Sequence, residues 1–64
     1  MTTLDRLSSR TAKLVYLYLT ERGAATADEL SSALDERQLT LLPILETLES
    51  EGLVQKDGGR YRPA

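Results

Sequence analysis

Three cations stand around a short glycine turn near the end of the chain: Lys56 precedes Asp57-Gly58-Gly59, and Arg60 and Arg62 follow it. On a hairpin, guanidinium and ammonium groups can donate charge-assisted hydrogen bonds outward, and phosphate oxygens are well-matched acceptors. A second group, Arg37, Gln38, Leu39 and Thr40, with Leu42 close behind, leads into a strongly apolar run. These side chains suit base edges: Arg pairs with guanine, Gln pairs with adenine, and an apolar group touches the thymine methyl. An exposed turn cation at Arg37 and a protein contact at Leu39 and Leu42 explain the same residues equally well.

Other chemistry finds no support. The chain has no Cys and no His, which excludes disulfides, thiolate nucleophiles, zinc fingers and histidine-based catalysis. Ser8-Ser9 and Ser31-Ser32 have no base to activate them, and Asp35, Glu36, Glu46, Glu49 and Glu51 have no visible partner to tune a carboxyl group. No enzyme, metal site or cofactor is expected. The formal charge of −2 and pI of about 4.9 have the wrong sign for bulk attraction to nucleic acid. Any phosphate contact must therefore be local. Lys56, Asp57, Arg60 and Arg62 sum to +2, and Arg6, Arg10 and Lys13 form a second basic group.

The elements that must position these side chains follow from periodicity and punctuation. With 64 residues there is room for one small core. Residues 1–8 show no periodicity and are expected to form a flexible arm, leaving 9–64 as the folded domain. Ser8 or Ser9 can cap a first helix over residues 9–22, which Gly23 would end. Within it, Leu14-Val15-Tyr16-Leu17-Tyr18-Leu19 is apolar at every position and would also suit a buried strand, but length and caps select a helix. One face, Ala12, Val15, Tyr16 and Leu19, meets the core. Leu14, Leu17 and Tyr18 then need another cover, supplied by the arm, by the hairpin or by a second copy of the chain.

Thr26-Ala27-Asp28-Glu29 has the form of a capping box and opens a second helix over residues 27–34, burying Leu30, Ala33 and Leu34. Asp35 to Gln38 is the turn to the third helix. There, Leu41, Ile44, Leu45 and Leu48 recur at spacings of three and four, the signature of one helical stripe. Pro43 is tolerated only near a helix start, so a regular helix over residues 41–51 is expected, with Thr40 as its cap and Gly52 as its stop. Ala24-Ala25 can form a brief strand. Residues 53–56 and 60–62 alternate apolar and polar about the glycine turn, predicting a hairpin with Val54 and Tyr61 inward and Lys56, Arg60 and Arg62 outward.

The run Thr40-Leu41-Leu42-Pro43-Ile44-Leu45 and the ending Leu48-Glu49-Ser50-Glu51-Gly52-Leu53-Val54 resemble the recognition helix of winged helix-turn-helix transcription regulators. The likeness is nearest to the PadR type and covers about residues 11–62, with Leu42 standing where that type usually carries an aromatic. It implies a mainly α fold of three helices with a small β-hairpin wing. It also implies a DNA-binding transcriptional regulator with helix 3 in the major groove and the wing on phosphates. By the resemblance, Arg37, Gln38, Leu39, Thr40, Leu42, Pro43 and Glu46 face the groove, and Lys56, Arg60 and Arg62 serve the backbone.

The implied partners are double-stranded DNA and a second copy held through Leu14, Leu17 and Tyr18. No membrane contact is expected, because no apolar run approaches the ~20 residues of a span, and the cytoplasm is the expected compartment. A different reading stays open. Leu39, Leu42 and Pro43 would form the docking patch of a protein-interaction winged helix that does not bind DNA, and the acidic charge favours it.

Overall fold

Thr26 ends one element and starts the next. Its hydroxyl accepts from the Glu29 amide at 3.1 Å, while its own amide donates to the Glu29 carboxylate at 2.8 Å, completing the capping box expected from the sequence. In the computed structural model, which describes residues 10–64, this box separates a two-residue strand from the second helix. The element order is α1 (Arg10–Arg22), β1 (Ala25–Thr26), α2 (Ala27–Leu34), α3 (Gln38–Ser50), β2 (Val54–Asp57) and β3 (Arg60–Pro63). The expected arm at residues 1–8, the caps Ser8 and Ser9, and Arg6 lie outside the described residues.

Three short strands form one antiparallel sheet in the order β1-β3-β2, so the last strand is its centre. Ala25 stands opposite Tyr61, and Val54 opposite Pro63. The first strand falls one residue later than Ala24-Ala25, because Ala25 is the residue whose side chain reaches the core. The hairpin closes through Gly58 (φ 60°) and Gly59 (φ 83°) between Asp57 and Arg60, two positive φ values in a row, as a type I′ turn requires.

The core is wholly apolar. Val15 and Leu19 of α1, Leu30 of α2, Leu41, Leu45 and Leu48 of α3 and Val54 of β2 are fully buried, and Ala12, Ala25 and Tyr61 complete the cluster. Burying a side chain of this size stabilises by about 1.5–3 kcal/mol, so the α3 stripe of three leucines anchors the fold. In α2 the sequence expectation fails at one place: Ala33 is exposed, and Leu30 and Leu34, with Ala27 at the helix start, turn inward. Eight residues make little more than two turns, so only one narrow stripe can reach the core.

The third helix begins one turn earlier than its proline suggests. It starts at Gln38 with Arg37 as N-cap, so Thr40 is a helical residue and Pro43 lies in the second turn. The reason is the turn before it. Asp35 takes a left-handed conformation (φ 54°), the amides of Asp35 and Glu36 both donate to the Ser31 carbonyl, and the Ser31 hydroxyl donates to the Glu36 carbonyl. With Asp35 and Glu36 pinned, Arg37 is extended and its carbonyl accepts from the amides of Thr40 (3.0 Å) and Leu41 (3.2 Å). The turn closing α2 overrides the local cost of an interior proline.

At its other end α3 stops in a Schellman motif. Gly52 (φ 77°) donates to the Glu49 carbonyl at 3.0 Å, and Leu53 donates to the Leu48 carbonyl at 2.9 Å. The chain turns there directly into β2.

Candidate nucleic-acid interface

The site begins with the short passage from α2 to α3. The Gln38 side-chain amide donates to the Asp28 carboxylate, bridging the first turn of α3 to the first turn of α2. This fixes the angle between the helices of the helix-turn-helix, and it occupies the amide expected to read adenine.

Beyond that tie, the outward side of α3 is bare. Leu39 is 81% exposed and Leu42 is 43% exposed, and Thr40, Pro43 and Glu46 are exposed with them. Leu41, Leu45 and Leu48 occupy the buried side, so Leu39, Pro43 and Glu46 share the opposite one, with Leu42 on the flank between them. No Arg or Lys occurs in α3 from Gln38 to Ser50. Arg37, the N-cap, is the nearest cation and is exposed.

The wing divides its cations between two faces. Lys56 stands opposite Tyr61, and its ammonium lies 5.6 Å from the centre of the Tyr61 ring. Directly opposed residues share a face, so Lys56 lies on the inward face rather than beside Arg60 and Arg62 as expected. Its stem covers the rim of the core while its charge stays in solvent. Arg60 and Arg62 lie on the other face with Gln55 and Asp57. The Arg62 guanidinium donates to the Gln55 carbonyl oxygen at 3.4 Å and approaches the Asp57 carboxylate at 3.8 Å. Arg60 stands opposite Thr26, close enough to the start of α2 for its charge to act on Glu29. The Glu29 carboxyl is held below the usual carboxylate range, first by the Thr26 amide that donates to it and further by the charges of Arg60 and Arg22.

The structure therefore brings Arg37, Leu39, Thr40 and Leu42 together at the start of α3, with Gln38 tied back to α2. Sequence reasoning missed Asp28 and Asp57, the two acids that engage Gln38 and Arg62. Periodicity cannot find them, because each pairing is made by a turn or a strand register.

On α1, Leu14 (44% exposed) and Leu17 (46% exposed) remain open. Tyr18 differs from them. It is half-buried against the core, and the Arg22 guanidinium lies 5.8 Å from its ring centre. No helix among the described residues is long and apolar enough to cross a membrane.

Three helices with a β-hairpin, a helix-turn-helix and an exposed second helix of that pair define a winged helix-turn-helix domain of the transcription-regulator class, not an enzyme. The chain belongs to the family described as sugar-specific transcriptional regulator TrmB, whose model matches residues 7–63. The likeness of α3 to the PadR type rests on its own run of residues and is not what this match names. No curated protein and no solved structure matches the chain.

Proposed function

We propose that this chain acts in the cytoplasm as the duplex-DNA-contacting part of a transcription regulator, with α3 in the major groove and the wing on phosphates. The observation that carries the reading is the outward face of α3. Leu39, Thr40, Leu42, Pro43 and Glu46 are exposed on the second helix of a helix-turn-helix, within a chain that belongs to a regulator family. The PadR-like run of α3 supports the same placement. Arg37 is assigned to the groove edge, and Lys56, Arg60 and Arg62 to phosphates. The TrmB description ties the family to sugars, and we assign to this chain the DNA-binding step of such a response.

A second copy is proposed to cover Leu14 and Leu17, with Tyr18 at the edge of the contact. Two leucines three residues apart form one apolar ridge on a helix, and a paired protomer would give the domain a symmetric target. Titration of labelled duplex at low and moderate salt tests the DNA reading. Each phosphate neutralised contributes about 0.9 to the slope of log affinity against log salt, so Lys56, Arg60 and Arg62 together predict a slope near −3 per protomer. Absence of duplex binding at low salt, with a protein captured through Leu39 and Leu42, would replace this reading with the interaction-module one.

A further inference from the structure

Resting on the reading that α3 enters the major groove, we infer that this helix selects its site through thymine methyls at Leu39 and Leu42 and through a cytosine amino group at Glu46. The chemistry of the exposed stripe narrows the choice. Gln38, the residue fitted to adenine, is engaged by Asp28, and within α3 no Arg or Lys takes guanine, which leaves that base to Arg37 at the N-cap. What the outward side and its flank then offer is apolar carbon at Leu39, Leu42 and Pro43 with the Thr40 hydroxyl, followed by the carboxylate of Glu46. Glu46 has no hydrogen-bond or ion-pair partner among the described residues.

Each of these groups has a matching feature in the groove. The thymine C5-methyl is the one apolar group presented by the four bases, and burying a methyl-sized group favours binding about fourfold. A carboxylate only accepts, so it needs an N–H donor, which cytosine N4 and adenine N6 provide. The adenine donor is flanked on one side by N7 and on the other by thymine O4, both acceptors that repel a carboxylate. The cytosine donor has an acceptor on one side only, the guanine O6. Glu46 therefore prefers cytosine.

Spacing sets the arrangement of the bases. At 1.5 Å per residue, Glu46 lies about 6 Å along the helix from Leu42, which spans at most about two base-pair steps of 3.4 Å. The favoured half-site thus holds a cytosine within about two steps of a thymine.

The test is selection of bound duplexes from a random library, followed by affinity measurements on the selected site. Replacing its thymines by uracil removes only the methyl groups and should weaken the wild type about fourfold per contacted base, while Leu42→Ala should lose that sensitivity at one position. Glu46→Gln should move the preference at its position from cytosine to adenine by fivefold or more, since a carboxamide both donates and accepts. Both substitutions lie on the surface, so folding is preserved and can be checked by circular dichroism. If duplex is bound but uracil and Glu46→Gln leave the selected sequence unchanged, this inference falls and the DNA-binding reading stands. If no duplex is bound, both fall together.

Discussion

Asp57 and Arg62 lie diagonally across the wing, carboxylate to guanidinium at 3.8 Å, with Gln55 as the second partner of the same arginine. On the proposed DNA reading, a phosphate and Asp57 compete for one guanidinium. The pair is largely exposed and therefore weak, so DNA can displace the acid. Asp57→Asn is expected to raise duplex affinity a few-fold, because binding no longer has to break the pair, while the salt slope stays near −3. Arg62→Ala should abolish the gain in the double variant. Binding isotherms at four or more salt concentrations provide the measurement.

Pro43 in the second turn of α3 has no amide to donate to the Leu39 carbonyl. Pro43→Ala should restore that bond and stabilise the domain by about 1–3 kcal/mol, the range an interior proline costs. Thermal unfolding followed by circular dichroism should show the midpoint rising, and an unchanged or lower midpoint would mean that the proline itself fixes the first turn.

Thr26→Ala removes the hydroxyl of the capping box and should destabilise the domain by about 1 kcal/mol. The same box sets a pH dependence. Because folding lowers the Glu29 pKa, its contribution is fully present above the ordinary carboxylate range and fades as pH falls through the folded value. Urea unfolding at neutral and acid pH should show Glu29→Gln differing from wild type at neutral pH, with the two converging in acid.

Leu17→Glu places a charge on the open ridge of α1 without touching the core. A pair of chains joined there should dissociate while the helical signal is kept, and sedimentation equilibrium reads both states. Wild type that remains monomeric at high concentration would remove the proposed contact.

The fold was legible where one local signal sufficed. Thr26 and Glu29 spell the capping box, Gly52 marks the end of α3, Gly58-Gly59 fixes the turn, and the Leu41–Leu45–Leu48 spacing names the buried stripe. The start of α3 was not legible, because Pro43 marks only its own position, whereas the Ser31–Glu36 bonds that set the start belong to the turn closing α2. Lys56 was misplaced although its own strand carried the signal. Val54 and Lys56 stand two residues apart on one strand, so alternation alone already places them on the same face, and the pairing of Lys56 with Tyr61 puts that lysine inward. Of the candidate site, the residue types were readable, but the tethering of Gln38 by Asp28 was not.

The Schellman stop at Gly52 leaves almost no slack between the end of α3 and the start of the wing. Helix and hairpin therefore arrive at a target as one rigid body, with no hinge through which the wing could adjust alone. The angle between them is a built-in ruler. On the proposed DNA reading, a duplex whose groove width departs from it would have to deform, so local stiffness of the DNA would become part of what this small domain senses.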